Sequence, residues 1–397
     1  MFSPHLRHLI SAALAALSLL LASCGGGGGG GENNAAAAPA FPRSSTLANM
    51  CTLDGQKQFV RSYLDETYLW YDEIPAVNAA DYATVPAYFN ALLVKPKDRF
   101  SAVLTSSAAD ARQSAPHDLL ASSGVAANLL AVNGKSVPVA RVVASPNGRR
   151  VGYVLFNDHT EGAQDELIAA FDKLRTAGVD DLVLDMRYNA GGFLYVALTA
   201  ASLVTGPQSE GRIFEQLRYS ARRQSETAAS TYLYSSRVQT PEPLHPRGTE
   251  LPQLNLPRVY VLTSAKTCSA SESIINSLRG IDIEVITVGA TTCGKPFGFH
   301  RQDNCGLAFF AIEFQGYNAR NFGDYTSGFT PTCPVADNFL AALGSTPEPL
   351  LAAALFHSDT GSCPAATAAK LSLGELVGGR ANAPLITRQQ WDGRQLK

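Results

Sequence analysis

Residues 259–299 read VYVLTSAKTCSASESIINSLRGIDIEVITVGATTCGKPFGF, and this stretch decides the fold. It predicts an apolar strand that stops at a small-residue turn, a helix leaving that turn, a second strand and a Gly-Lys loop. Ser269 stands at the strand-to-helix turn, and Lys295 closes Thr-Thr-Cys-Gly-Lys on the loop that follows the second strand. A serine at the N-terminus of a helix, with a lysine brought back beside it by the next strand, is what nucleophilic catalysis by a Ser-Lys pair requires.

The same alternation is written once more upstream. Val151–Phe156 reads as a strand, and Gln164–Ala177 as an amphipathic helix with Leu167, Ile168, Phe171 and Leu174 on one face and Gly178 as its stop. Leu182–Met186 is almost wholly apolar, as expected of a strand buried on both faces, and Arg187-Tyr188-Asn189-Ala190-Gly191-Gly192 forms a loop before a helix over Phe193–Val204. Strands alternating with helices in this way specify an α/β core. Around it the signals are weaker. Asn49–Leu93 is helical, with Phe59, Tyr63, Tyr68, Leu69 and Tyr71 as core filler and Pro75 ending the first run. Between 102 and 150 only Leu129–Val137 and Val139–Val143 resemble strands, with a tight turn at Asn133-Gly134. Gly206–Pro252 is polar and aperiodic, either a cover for a cleft or an insertion. Leu307–Phe314 reads as one strand, and helices are expected near Asp337–Leu343 and at Pro349–Leu355.

Length and composition bound the possibilities. The 397 residues exceed one average domain, and 46% hydrophobic residues suffice for a substantial core. A net charge of -2, with Lys and Arg scattered and not in runs, gives no reason to invoke nucleic acid. The chain opens with a weakly basic start and an apolar run, Leu9–Ala22, too short to span a bilayer comfortably; it reads as a secretory signal. The run ends in Leu21-Ala22-Ser23-Cys24, which resembles the bacterial lipoprotein box and implies a lipid on Cys24. The glycine run Gly25–Gly31 and the Ala/Pro-rich stretch to Pro42 then serve as a flexible tether. Because Gly25 is not an aspartate, the expected address is the outer membrane, facing the periplasm. Six further cysteines, at 51, 268, 293, 305, 333 and 363, suggest disulfides in an exported chain, and the sequence leaves 15 pairings open. Cys268 and Cys293 flank Ser269 and Lys295, so a crosslink could hold one of those loops; no cysteine spacing looks like a zinc site.

Three motifs in order carry a resemblance. Asp185-Met186-Arg187-Tyr188-Asn189-Ala190-Gly191-Gly192, then Ser269-Ala270-Ser271-Glu272, then Gly294-Lys295 resemble the core motifs of the C-terminal processing (tail-specific) protease family of serine peptidases. The segments Tyr-Leu-Trp-Tyr-Asp-Glu-Ile-Pro, ending at Pro75, and Asp98-Arg99-Phe100-Ser101 resemble the N-terminal region of its lipoprotein members. The resemblance implies a ClpP/crotonase-like α/β spiral core, a small N-terminal helical domain, a reduced PDZ-like segment, a protein or peptide substrate, and no metal or cofactor. Residue by residue it implies Ser269 as nucleophile and Lys295 as base. Gly191 or Gly192, with the amide of Ala270, would form the oxyanion hole. Asp185, Arg187 and Glu272 would be supporting residues. Lysine serves as a base only when neutral, which a desolvated site favours, and Lys295 lies between Cys293 and the apolar Phe297-Gly298-Phe299.

The chain also departs from the family. Where many members place an aspartate or a glutamine as a third polar partner, Gly280 and Phe299 stand here, so nothing in the sequence explains what orients Lys295. His159, the nearest candidate for the histidine base that some relatives use, reads as a structural or surface residue. Residues 102–147 are roughly half what a PDZ domain needs, and recognition of a carboxyl terminus by strand addition has no visible loop to serve it. The expected organisation is therefore a lipoprotein signal (1–23), a tether (24–48), a helical domain (49–101), a reduced PDZ-like or linker segment (102–147), the catalytic core (148–357) and a C-terminal tail (358–397). The competing reading is a non-catalytic binding lipoprotein on the same scaffold.

Overall fold

The computed structural model describes residues 41–114, 135–337, 341–365 and 394–395. Cys24 and the leader, the Asn133-Gly134 turn and most of the strand expected at Leu129–Val137 lie outside these residues. Among the described residues no helix is long and apolar enough to cross a membrane.

The chain enters through helices α1 (Leu53–Thr67) and α2 (Val85–Leu92), each capped by a threonine, Thr52 and Thr84, whose hydroxyl accepts from a main-chain N–H of the first turn. β1 (Ala102–Thr105) and α3 (Ser106–Ser114) follow. The centre is a six-stranded sheet. Its strands are β2 (Val139–Ala144), β3 (Arg150–Leu155), β4 (Asp181–Asp185), β7 (Arg258–Thr263), β8 (Glu284–Gly289) and the short β13 (Cys333–Pro334), in the order β13-β8-β7-β4-β3-β2. All neighbours pair in parallel except β2, which runs antiparallel to β3 along the edge. The crossovers contain α4 (Ala163–Ala177), α5 (Leu194–Val204) and α7 (Ala270–Gly280).

The near-continuous apolar runs of these strands have a direct cause. Successive strand residues face opposite sides of the sheet, and both sides are covered. Val154, Leu182, Leu184, Val259 and Val261 enter the core formed with α4, α5 and α7. Tyr153, Val183, Tyr260 and Leu262 enter a second core against α8 (Pro349–Thr360). The architecture is thus mixed α/β with a central mixed sheet and a helical N-terminal region.

Two smaller sheets flank the centre. One has the order β1-β11-β10, with β10 at Gln302–Asn304 and β11 at Leu307–Phe310. The other has the order β14-β9-β12-β5-β6. It comprises β5 (Ile213–Tyr219), β6 (Thr231–Leu233), β9 (Phe297–Phe299), β12 (Phe314–Tyr317) and β14 (Arg394–Gln395). Aromatic residues of α1 and α2 share one core with Phe297, Phe299, Phe309 and Phe310, so the N-terminal helices are packed onto these strands.

Three expectations are corrected. The strand expected over Leu307–Phe314 is two strands in different sheets, β11 and β12. Between them Glu313 turns inward, where its carboxylate meets Arg223 at 2.5 Å and His300 at 2.9 Å. The aperiodic Gly206–Pro252 contains β5, β6 and α6 (Gln224–Ala229); β5 gains its order from pairing with β12, nearly a hundred residues away. The described residues of 337–343 form no helix, and Asp337 instead binds Arg187 and the Tyr188 hydroxyl.

Three disulfides form among the described residues. Cys51 pairs with Cys305, Cys268 with Cys293 and Cys333 with Cys363, with Cα–Cα distances of 5.4, 5.1 and 5.4 Å.

Candidate active site

Strand β7 ends at Thr263, and the turn that follows is fastened to the loop after β4. The Thr267 hydroxyl donates to Met186 O at 2.9 Å, and the amide of Cys268 and the hydroxyl of Ser271 both donate to Asn189 O, at 3.1 and 3.0 Å. These bonds set Ser269 as the N-cap of α7, with φ 56° and ψ -114°. A non-glycine residue held there is strained, as in the strand-to-helix elbows that present a nucleophile. Ser269 is fully buried.

Lys295 is brought to the same place from the loop after β8. The Cys293 amide donates to Thr267 O at 3.0 Å, and the Cys268–Cys293 disulfide joins the residue before Ser269 to this loop. The strongest tie is Glu272. Its Oε2 accepts from the amides of both Ser269 and Lys295, at 2.9 and 2.8 Å, and its Oε1 accepts from the Gly294 amide at 2.8 Å and the Thr292 hydroxyl at 2.6 Å. Burial pushes the Glu272 carboxyl up from its ordinary value, and these four donors oppose that shift. One carboxylate thus holds the main chain of both candidate residues. Gly294, with φ +81°, is required here because a Cβ would lie 2.2 Å from Thr326 O.

The Lys295 side chain is fully buried, its Nζ 5.0 Å from the Phe100 ring centroid and 4.9 Å from that of Phe299. Loss of water favours the neutral amine, whereas the ring faces favour the ammonium. Phe299, one of the two positions at which the sequence lacks a polar partner, therefore contacts the lysine through its ring. Gly280, the other such position, packs against Asn318, whose Cβ would be 2.9 Å from any Cβ added there.

Of the expected oxyanion donors, Ala270 begins α7, in the first turn, where N–H groups have no intrahelical acceptor. Gly191 packs directly on it: a Cβ at Gly191 would lie 2.9 Å from Ala270 N and 3.0 Å from Ser269 Cβ. The amide of Gly191, however, donates to Asn189 Oδ1 at 3.0 Å, so this N–H is already engaged. Gly192 forms a bridge with His159.

Asp185 and Arg187 lie beneath the loop in a buried ionic cluster. The Arg187 guanidinium forms paired bonds to Asp185 (2.9 and 2.9 Å) and to Glu348 (2.7 and 2.9 Å), and Tyr153 donates to Asp185 at 2.7 Å. Glu348 also caps α8 through the amides of Leu350 and Leu351. Burial pushes Asp185 up, opposed by Arg187.

His159 is fully buried against Phe156, and its Nδ1 lies 2.9 Å from Asn189 Oδ1. Because that oxygen also accepts from Gly191 N, Nδ1 carries the proton. Burial lowers the His159 pKa to about 3, opposed by the Asn189 bond. Its folded value lies below the ordinary 6.5, so the unfolded chain binds the proton first, and stability falls as pH drops from 6.5 toward 3. The expected slope from this group is about 1.4 kcal/mol per pH unit. Urea unfolding of wild type and His159→Gln between pH 4.5 and 7.5 checks it: the variant should show a slope smaller by about that amount.

A buried serine and a buried lysine on adjoining turns could serve several chemistries, and comparison with known proteins gives the family. The model of peptidase family S41 matches residues 150–335, and the model of the S41 N-terminal domain matches residues 55–102. The chain belongs to peptidase family S41. It is 28% identical over 181 residues to the carboxyl-terminal-processing protease of Picosynechococcus sp., covering 45% of this chain and 38% of that protein. The chain thus spans well under half the length of that curated relative. The crystal structure of an S41-family protein from Bacteroides fragilis shares the fold, with 22% identity, 76% of this chain and 97% of that one covered, and a TM-score of 0.59.

Asn189 and Thr292 also belong to the site. Asn189 stands within the Gly-Gly motif and Thr292 within Thr-Thr-Cys-Gly-Lys, but nothing in their spacing shows which main-chain groups they hold.

Proposed function

We propose that this chain is an exported, lipid-anchored serine endopeptidase that hydrolyses peptide bonds with Ser269 as nucleophile and Lys295 as base. The observation that carries the reading is the shared carboxylate oxygen of Glu272, which fixes Ser269 and Lys295 on one support. Neutral Lys295 takes the proton of the Ser269 hydroxyl as Oγ attacks the substrate carbonyl. The negative charge that develops on the carbonyl oxygen is received by main-chain N–H groups at Ala270 and Gly192, since the Gly191 amide is taken by Asn189. The C–N bond breaks as Lys295 returns the proton to the departing amine. Water, deprotonated by Lys295, then releases the acyl group and restores Ser269. Asp185, Arg187 and Glu272 position the loops and do not touch substrate.

Proteins or peptides of the cell envelope are the substrates. Signal removal before Cys24 and lipidation there, with residues 24–48 as tether, place the enzyme at the outer membrane, facing the periplasm. No nucleic acid, metal or cofactor takes part in this reading. The test treats the purified chain and Ser269→Ala with a fluorophosphonate probe and an unfolded protein. Wild type should label at residue 269 and cleave; equal, background-level signals from both would remove the peptidase reading and leave a binding protein on this scaffold.

A further inference from the structure

Beside the Lys295 loop, between the N-terminal region and the core, lies a cleft of about 820 Å³. That volume suits a side chain and its neighbours. Ser269 and Lys295 do not line it, but the cleft reaches the loop through Cys293 and Gly294. Phe100 forms its wall and lies 5.0 Å from Lys295 Nζ. Trp70, Phe100 and Phe297 make one aromatic face, with Phe297 5.1 Å from Trp70 and 6.3 Å from Phe100. The charges on the wall have one sign. Lys97 and Arg99 line the cleft, and no acidic residue does so among the described residues.

The two cations differ. Lys97 is held by Glu73 at 2.5 and 2.7 Å. Arg99 meets no carboxylate among the described residues. Its neighbour Asp98 is occupied by the Tyr68 hydroxyl and the amides of Phe100 and Ser101. One guanidinium nitrogen of Arg99, Nη2, donates to the carbonyls of Cys293 and Thr326, at 2.9 and 3.1 Å. These bonds aim a fixed, exposed cation along the aromatic face, with its remaining N–H groups available for the planar, two-pronged recognition of a carboxylate.

We propose that this cleft is a substrate subsite, which takes an apolar, preferentially aromatic, side chain against Trp70, Phe100 and Phe297 and a neighbouring carboxylate on Arg99. The proposal rests on the peptidase reading for its meaning but not for its test. A carboxylate at the peptide's end and one on an adjacent aspartate offer Arg99 the same chemistry, and the peptides below distinguish them.

Binding is measured on Ser269→Ala, so that turnover plays no part. The chain has two tryptophans, and with Trp391→Phe added the fluorescence reports Trp70. The probes are peptides of one sequence ending in Phe with a free carboxylate, in Phe-amide, in Asp-Phe-amide, and in Ala with a free carboxylate. The Phe carboxylate or the Asp-Phe-amide peptide, whichever source fits, should bind roughly 10- to 100-fold tighter than Phe-amide, and the Ala peptide about 10-fold or more weaker than its Phe counterpart. Arg99→Gln should bring the carboxylate-to-amide ratio to near one, and Arg99→Lys should restore part of it. Because Arg99 also holds the Cys293 carbonyl, a merely structural role would weaken all peptides alike and keep the ratio; that result overturns the proposal. So does a wild-type ratio near one. If the ratio depends on Arg99 while wild type cleaves nothing, the subsite stands and the peptidase reading falls. Cleavage without dependence on Arg99 or a carboxylate has the opposite meaning.

Discussion

Lys295→Met should lower kcat/KM for peptide hydrolysis by about 10³-fold or more, because a serine hydroxyl without its base is a weak nucleophile at neutral pH. Methionine is the informative replacement. It fills the slot between Phe100 and Phe299 with an unbranched apolar chain, and the main-chain bond from residue 295 to Glu272 needs no side chain. Exchanging the amine for an apolar group of similar volume preserves the packing of this slot. The urea midpoint should therefore stay near that of wild type while turnover collapses. A fall in kcat/KM smaller than about tenfold, with the midpoint retained, would assign the base elsewhere. His159 would not inherit the role readily: with a pKa of about 3 it remains neutral across the working range, so no inflection near pH 6 to 7 should come from it. Activity should instead rise with pH as the fraction of neutral Lys295 grows.

Arg187→Met should be the most destabilising change, by about 3–5 kcal/mol. The guanidinium is wholly buried, and its loss leaves the buried carboxylates of Asp185 and Glu348, with Asp337 beside them, without their shared counter-charge. Burial alone lowers Arg187, but the carboxylates of Asp185, Glu348 and Asp337 more than offset that and hold it well above its ordinary value. The variant should show a pH dependence of definite sign. Burial already raises the Asp185 carboxyl and Arg187 opposes that shift, so without the cation its folded-state pKa rises further above the unfolded value, and the folded state binds the proton first and gains stability as pH falls toward the unfolded value. The deficit in urea unfolding should accordingly be larger at pH 7.5 than at pH 5.5. An equal deficit at both values would point to lost packing in place of uncompensated charge.

How far the sequence reveals this molecule depends on the range of each interaction. Leu182–Met186 declares itself because both of its faces are buried, and Ser269, Lys295 and the Gly191-Gly192 loop stand in motifs whose spacing is local. Glu272 is visible as a residue, but its work is not, since its partners are main-chain amides that could belong to any residue type. The union of Arg187 with Glu348 spans 161 positions, and each has the composition of an ordinary surface charge. The break after Phe310 is hidden for a related reason: Ala311 and Ile312 continue the apolar pattern, and only the pairing of β12 with β5 and β9 reveals the change of sheet. The main-chain tether of Lys295 to Glu272 and the rings of Phe100 and Phe299 around its amine are equally silent in the sequence, because they join residues far apart in the chain.

The Cys51–Cys305 disulfide has a mechanical consequence. It closes a loop of 254 residues two positions before α1 begins. Tension applied through the N-terminus therefore passes from Cys51 directly into the turn between β10 and β11, bypassing α1 and α2. The helices lie inside the covalent loop and take load only through noncovalent contacts with the segment before Cys51, such as the bonds of Ser44 to Glu66. A chain pulled from its N-terminus would yield first at the small β1-β11-β10 sheet, while the strands that carry Ser269 and Lys295 remain shielded.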